Sequence, residues 1–564
     1  MIEKELQKIV NDAIKLEFNQ DFASFVHLSN AENVDYQCDD CFSLAKILHI
    51  SPMVISEKLA SVINNLEVKD DYFESVSTKN GFLNFVISEK FINLKLNNLL
   101  GDENLGVVRP QNPELFFLDY GGPNIAKPLH VGHLRSHIIG ESVKRIIAFS
   151  GNKTISDVHF GDFGLQIGEV IYGLKERNID KENITLSLLN EIYPEINARI
   201  KEDKKLNDKC AQITKELQEG NEEYLDYFKI IKEISAKDIK RIYNYLDVHF
   251  DYYLGESDSY KYIPKLTQIL NEKNLLKTSD GAKIIDISKE TDKKELPPLI
   301  FQKSNGAYLY GTTDLATILQ RKEDFNPDHI VYFADIRQDL HYTQFFRAAN
   351  LAGLFNENQL EFHGFGTVNG LDGKPYKTRE GKSPSLDSLF LEVKEILLKN
   401  KQMDLENESD IDDIVNSVIK FADLQNNYEK DYIFDIEKFS KLEGKTGPYI
   451  LYSYCRFNKI LKKFTQEKVD FSKKSKNEYE RSVKLKLLGF APSFMRAFSE
   501  RKPSIVADYL FDLCLKLNLF YENNRLQDQA NSEYLDCWLA LIKLSLKTLK
   551  QCLNLLAINT IEKM

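Results

Sequence analysis

A chain of 564 residues, 43% hydrophobic and 28% charged, has the makeup of an ordinary soluble globular protein. Its length allows about two to four domains. No apolar run reaches the ~18 residues of a membrane span, so no membrane partner is expected, and a net charge of −11 argues against general coating of nucleic acid.

Seven cysteines are too few for a disulfide framework and point to a reducing cytoplasm. The start, Met1-Ile2-Glu3-Lys4-Glu5, has an early acid and no apolar core, so it does not read as a secretory signal.

Residues 1–108 read as a small α+β unit. Helical periodicity runs through Ile2–Leu16 and Ile55–Leu66. Strand-like segments follow at Phe73–Ser77 and Phe82–Val86, with Lys79-Asn80-Gly81 as the turn between them. Cys38-Asp39-Asp40-Cys41 has the spacing of half a zinc site, but no second Cys or His pair accompanies it, so no structural metal is expected. Gly101-Asp102-Glu103-Asn104-Leu105-Gly106 reads as a linker.

Residues 109–405 alternate strands with helices. The strands are Leu115–Leu118, Thr154–Val158, Lys283–Ile287, His329–Phe333 and Glu361–Phe365. Between them lie helices at Leu134–Phe149, Asp314–Arg321 and Gln338–Leu351. That order predicts a parallel, doubly wound sheet with ligands at the carboxyl ends of its strands. The charged helical stretch at about 180–245 interrupts the alternation as an insertion.

Residues 406–564 are helix-patterned almost throughout, as at Asp412–Leu424, Tyr449–Lys463, Ile505–Tyr521 and Tyr534–Leu556, and predict an all-α bundle. Residues 441–564 hold 22 Lys+Arg against 13 Asp+Glu, a net +9 that leaves −20 on residues 1–440. A basic end on an acidic body suits a localised polyanion contact, or simply a solvated helical surface.

The chemistry concentrates at Pro123-Asn124-Ile125-Ala126-Lys127-Pro128-Leu129-His130-Val131-Gly132-His133-Leu134-Arg135. A strand, a tight turn and a helix N-terminus form a place where backbone N–H groups and the helix dipole hold phosphate. Gly132 lets a flat ligand approach, and the histidines can donate to a developing oxyanion. His133 and His137 share a helical face, which leaves a metal site as an alternative; satisfied structural histidines are another.

Phe160 to Gly168 places three glycines in a strand-to-helix passage. Gly370 to Ser383 is a loop with four cations that can close on a triphosphate or be no more than an exposed basic loop. Glu256 and Asp314 each stand beside aromatics. Together they would suit a guanidinium; singly they read as helix-capping acids.

These residues resemble the class I aminoacyl-tRNA synthetases, and within them the arginyl family. His130-Val131-Gly132-His133 resembles the motif usually written HIGH, and Gly161-Asp162-Phe163-Gly164-Leu165-Gln166 is similar to Gly-Asp-Trp-Gly-Thr-Gln. Gln338-Asp339-Leu340-His341 matches the Gln-Asp-Leu-His stretch. Phe421-Ala422-Asp423-Leu424, Thr446-Gly447-Pro448-Tyr449, Phe520-Tyr521-Glu522-Asn523 and the end at Met564 resemble landmarks of the anticodon-binding domain.

The resemblance implies a multidomain α/β protein: an N-terminal α+β domain that contacts tRNA, a Rossmann-type catalytic domain with a helical insertion, and a C-terminal all-α helical-bundle anticodon-binding domain. Asn124 and Gln338 would hold the α-amino and α-carboxylate groups of arginine. Glu256 and Asp314 would pair with its guanidinium beside Tyr310. His130, Gly132 and His133 would meet ATP and its α-phosphate.

Lys377 and Arg379 stand in the counterpart of the Lys-Met-Ser-Lys-Ser loop, which here reads Tyr376-Lys377-Thr378-Arg379. Lys127 would supply the phosphate contact that this departure loses. Phe163 for Trp and Gly122 for Ser or Ala are milder departures, and Asp35-Tyr36-Gln37-Cys38 only approximates a Gly-Asp-Tyr motif. Tyr449, Tyr452, Arg456 and Met564 would contact tRNA(Arg).

The implied reaction is ATP-dependent activation of arginine followed by transfer to tRNA, with Mg2+ bridging ATP phosphates and no protein metal. Activation is expected to need bound tRNA, and no editing site is expected. The family expectation is a monomer. Other readings are a non-catalytic tRNA-binding relative, a small-molecule nucleotidyltransferase and a synthetase for another amino acid. The first usually loses the active-site motifs and the second has no need of a basic helical domain.

Overall fold

The computed structural model describes residues 2–29, 31, 33–67, 69–376, 385–399, 408–464 and 469–564. At the N-terminus, helices Ile2–Phe18, Cys41–Leu48 and Pro52–Asn64 pack beside a four-stranded antiparallel sheet. Its strands are β1 (Val26–Leu28), β2 (Tyr36–Cys38), β3 (Phe73–Lys79) and β4 (Phe82–Ile87), in the order β1-β2-β4-β3. Asn80 and Gly81 turn β3 into β4 with φ of 52° and 83°, the paired left-handed residues of a tight hairpin.

β1, β2 and the helix at Cys41 were not expected, because three-residue strands are too short for alternation to register. The expected linker is a bonded turn instead. The Asp102 carboxylate accepts from Asn104 N and Gly106 N, and Leu105 is buried.

The central sheet has four parallel strands: β5 (Leu115–Tyr120), β6 (Lys153–Asp157), β10 (His329–Asp335) and β11 (Leu360–Phe365). Their order is β11-β10-β5-β6. β5 is apolar because both its faces are covered. Phe116, Leu118 and Tyr120 enter one core, and Phe117 enters a second with Ile330 and Tyr332. The chain leaves β5 toward β6 on one side and returns to β10 on the other, so the carboxyl ends of β5 and β10 flank the switch point where such sheets bind ligands.

The expected strand at Lys283–Ile287 is not in this sheet. It is β8 (Ala282–Ile285), the middle of an antiparallel sheet with β7 (Leu276–Ser279) and β9 (Leu299–Gln302). The reason is Asp280-Gly281, both at positive φ, which close a hairpin rather than a crossover. The predicted insertion is three helices, Leu186–Glu202, Lys204–Gln218 and Glu222–Tyr245. After it the chain runs along the end of β6, through the pairs Asp157–Tyr252 and Phe160–Gly255, and delivers Glu256 to the carboxyl edge of the sheet.

From Glu408 the chain is mainly helical: Glu408–Leu424, Gly447–Leu461, Glu478–Leu488, Phe490–Glu500, Pro503–Asn523 and Leu535–Leu555. A short parallel pair, β12 (Val368–Asn369) with β13 (Tyr432–Ile433), links this bundle to the segment after β11. Arg481 bonds Glu89 at 2.7 Å and Asp35 at 2.5 Å, joining the bundle to the first sheet.

The helix Val131–Phe149 passes through the middle of all this and buries polar groups on several sides. Arg135, 1% exposed, reaches Asp423 through Nε at 3.0 Å and donates through Nη1 to the carbonyls of Gly366 and Lys430. Ser142 donates to Leu555 O at 2.7 Å, and Gly140 lies against the Tyr120 ring with no room for a Cβ. Arg135→Ala leaves Asp423 buried without its countercharge, and a loss of about 3–5 kcal/mol is expected as a lower urea midpoint. The exposed pair Lys15–Asp21 is the control: Lys15→Ala should cost less than ~1 kcal/mol.

Candidate active site

The turn after β5 needs unusual backbone. Gly121, Gly122 and Ala126 have φ of 106°, 54° and 62°. The neighbouring strand end holds it: Gly122 N donates to Val158 O, Gly161 N to Pro123 O, and Ile125 N to Gly161 O. Gly161 is a glycine because a Cβ there would lie 2.3 Å from Asn124 Oδ1. Asn124 is half-buried, and its Oδ1 faces Gln166 Nε2 at 3.4 Å.

His130 caps the motif helix. Its Nδ1 accepts from Gly132 N at 3.1 Å, and His133 Nδ1 accepts from His130 N at 3.2 Å. A backbone N–H only donates, so both rings carry their proton on Nε2 and present it as a donor. The rings lie 3.9 Å apart. Desolvation, then the charge of Lys127, lowers the His130 pKa. Desolvation, His130 and Lys127 bring His133 down to about 3. Both imidazoles are therefore neutral at physiological pH. Gly132 is exposed, and what forbids a side chain there is the His130 ring, 2.8 Å from the site of a Cβ.

His137 is not part of this pair. It is buried and its Nε2 lies 2.9 Å from the Tyr243 hydroxyl. Among the described residues no three potential metal ligands come together. Cys38 and Cys41 are buried thiols, pushed well up and up to about 12 by desolvation.

Lys127 is half-buried, with Nζ 4.3 Å from the centroid of the Tyr193 ring. Lys377 and Arg379 lie outside the described residues. The far base of their loop is fixed beside the histidines: Ser385 pairs with His130, and Leu386 N donates to Leu129 O at 3.1 Å.

Glu256, Asp314 and Tyr310 come together. Glu256 opens a short helix at the end of β6, and its carboxyl is pushed up to about 7 by desolvation and then by the charge of Asp314. Tyr310, exposed at the start of the helix Tyr310–Asp324, feels both carboxylates. Gln338 is exposed at the N-terminus of the helix Asp339–Leu351, beyond β10.

Several supporting contacts are not legible in the sequence, although Asp162 and His341 stand in the motifs quoted above. His341 Nε2 meets Asp314 Oδ2 at 2.5 Å. Buried Asp162 accepts from Ser257 N and Oγ and pairs with Lys232 of the insertion at 2.6 Å, which fixes the start of the Glu256 helix. Below lie Asp119, Asp157 and His159 around buried Arg321. Burial opposes a charge on His159, but Asp157 and Asp119 outweigh it and raise it to about 9. For this innermost group the sequence signal is a charged residue inside each strand end, Asp119 and Asp157, where an apolar residue is due.

Tyr449, Tyr452 and Arg456 sit on the helix Gly447–Leu461 at spacings that share one face. Tyr452 is exposed. The Arg456 guanidinium lies 4.9 Å over the Tyr521 ring and donates to Asn518 Oδ1. Met564 is half-buried against the core.

The chain matches the family models for the catalytic domain of class I tRNA synthetases (R) over residues 95–436, the DALR anticodon binding domain over 450–564, and the arginyl tRNA synthetase N-terminal domain over 1–87. It is 38% identical to an arginine–tRNA ligase of Alkaliphilus oremlandii over 100% of this chain and 99% of that one. It is also 38% identical to one of Agathobacter rectalis over 96% of each. The crystal structure of arginyl-tRNA synthetase from Plasmodium falciparum superposes with a TM-score of 0.84 at 28% identity, covering 100% of this chain and 99% of that one. The Thermus thermophilus arginyl-tRNA synthetase gives 0.81 at 22% identity over 100% of both, a likeness of fold. With the histidine turn at the switch point, the carboxylate pair beside it and three family models in order along its length, the chain belongs to the arginyl-tRNA synthetases of class I.

Proposed function

We propose that this site activates arginine with ATP and passes the arginyl group to tRNA(Arg), as an arginine–tRNA ligase. The observation that carries it is Glu256 beside Asp314. Two carboxylates lie near an exposed tyrosine, and the first is driven toward its neutral form by burial and then by the charge of the second. A guanidinium repairs that arrangement with a planar fork of donors.

In the first step an arginine carboxylate oxygen attacks the α-phosphorus of ATP, and the bond to pyrophosphate breaks. Asn124 and Gln338, on the turn after β5 and the helix after β10, hold the α-amino and α-carboxylate groups. The Nε2–H groups of His130 and His133, with the open backbone at Gly132, donate to α-phosphate oxygens as charge develops. Lys127 carries positive charge to the same phosphates, with Lys377 and Arg379 of the loop. ATP enters with Mg2+ on its phosphates as substrate.

In the second step the 3′-terminal adenosine hydroxyl of tRNA attacks the arginyl carbonyl and AMP leaves. No side chain becomes covalently bonded, so positioning and electrostatics supply the rate. Tyr449, Tyr452, Arg456 and Met564 meet the tRNA on the basic bundle. Units at 1–108, 109–405 and 406–564, a monomeric state and a cytoplasmic location complete this reading. No helix of the described residues is long and apolar enough to cross a membrane.

Pyrophosphate exchange tests substrate and order together. Exchange should occur with arginine alone among the amino acids, and only when tRNA is present. Citrulline, which leaves the carboxylates unpaired, should lose by about 10⁴ or more without editing. Deacylation of mischarged tRNA by this protein alone would contradict the absence of editing.

The carboxylate pair adds a pH dependence. Glu256 titrates near 7 when the pocket is empty, and a bound guanidinium holds it ionised. Arginine affinity should be full above pH 7 and weaken as pH falls below it, approaching about tenfold per unit. Glu256→Gln should remove that slope and weaken arginine by about 100-fold or more. Calorimetric Kd values from pH 5.5 to 8.5 decide the matter; a flat profile in the parent chain would count against the pairing.

A further inference from the structure

Lys127 sits in the turn after β5, but the helical insertion holds it. Its ammonium lies 4.3 Å from the centroid of the Tyr193 ring, on the helix Leu186–Glu202. One turn further along the same face, Asn197 donates to the Glu169 carboxylate at 3.1 Å. Glu169 is buried, and Lys127 and Lys201 act on it as charges. The backbone just before Lys127 is gripped as well. Ala126 adopts φ 62°, rare for a residue with a side chain, and its N–H donates to Ser235 Oγ at 2.9 Å from the helix Glu222–Tyr245. Tyr193 is also close enough to Tyr310 for the two hydroxyls to influence each other.

The choice of a ring matters. A carboxylate bonded directly to Lys127 would compete with phosphate for its N–H donors, whereas Glu169 acts with it only as a charge beyond ion-pair distance. An aromatic face attracts the cation while taking none of its three N–H donors. Such a contact orients a lysine and leaves it free to bind an anion.

We propose that Tyr193 is a positioning residue for arginine activation, whose ring face holds the Lys127 ammonium where the ATP phosphates come to lie. The helical insertion thereby sets a cation of the catalytic turn. The proposal rests on the reading of Lys127 as a phosphate-contacting cation. A tyrosine that only filled space would affect stability and leave Lys127 untouched.

The test is a double-mutant cycle on the full chain, read by pyrophosphate exchange with arginine and tRNA present. Lys127→Ala should lower kcat by about 100-fold or more. Tyr193→Leu should lower kcat by about tenfold, with the KM for arginine and the melting temperature unchanged. Tyr193→Phe, which keeps the ring, should retain most of the rate. Tyr193→Leu placed on Lys127→Ala should cost nothing further, since its effect runs through the lysine.

If Lys127→Ala is crippled while Tyr193→Leu is fully active, or if the two losses multiply independently, the proposal falls and the role of Lys127 stands. If Lys127→Ala is fully active, the reading of Lys127 falls and takes the proposal with it. Should Tyr193→Leu melt early, Tyr193→Met has similar reach without a π face and carries the same cycle.

Discussion

The site depends on where one helix is allowed to sit. Val131–Phe149 must present its N-terminus at the switch point between β5 and β10, and Arg135 one turn in is what locks it there. The guanidinium is buried and donates through Nε to Asp423 and through Nη1 to Gly366 O and Lys430 O, so it ties together the motif helix, the bundle and the segment leading into β12. None of those partners can move alone without leaving a buried charge or carbonyl unmet. The chain runs from β12 into the cationic loop and returns at Ser385 to pair with His130. The same lock therefore registers the loop bases against the histidines. Ser142 and Arg145 extend it to the end of the last helix through Leu555 O and Asn554 O. These bonds tie the last helix of the bundle directly to the helix that carries the histidine turn.

The carboxylate side is built by layers. Glu256 and Asp314 face the cleft. Behind them Asp162, Lys232 and Ser257 fix the start of the Glu256 helix, and His341 fixes Asp314. Deeper still, Arg321 sits among Asp119, Asp157, Phe117 and Tyr332. The layering has an electrostatic logic. Each inner carboxylate has a resident cation, while Glu256 lacks an arginine or lysine partner among the described residues and is the one displaced toward neutrality. On the reading proposed above, a pocket in that state would bind a cation by relieving a repulsion already present, which is a stronger basis for selectivity than shape.

Much of this was legible from the chain. Long periodic segments and the apolar run of β5 carry their structure in local pattern, and Asn124, His130, Glu256 and Asp314 stand in short strings whose chemistry is recognisable. What could not be read was of two kinds. β1 and β2 are too short to show a period, and the βα alternation around β8 reads as a parallel strand although Asp280-Gly281 closes a hairpin there. The second layer escaped for a different reason. Asp162 with Lys232, and Lys127 with Tyr193, join residues tens of positions apart, and a helical insertion looks alike in sequence whether it decorates the surface or grips the active site. His137 shows the converse. It lies one turn from His133 in the motif, yet only the fold reveals that it faces Tyr243 in the core.

The protonation state of the histidine pair divides the work at the phosphate side. Each Nδ1 is occupied as an acceptor of a backbone N–H, so protonating either ring would set two donors against each other and break a cap. Desolvation and the charge of Lys127 push the same way. The imidazoles can thus serve as neutral donors with a fixed tautomer, but they cannot supply net positive charge to a triphosphate. On the reading proposed above that charge comes from elsewhere in the cleft, and Lys127 is a cation that the described residues place beside the histidines. Its presence also helps keep the histidines neutral. On that reading one lysine serves twice: it offers the charge the histidines lack, and it adds to the desolvation that keeps them in the form in which they donate. Because the lysine stands within the turn itself, its distance to both rings is set by the fold of that turn.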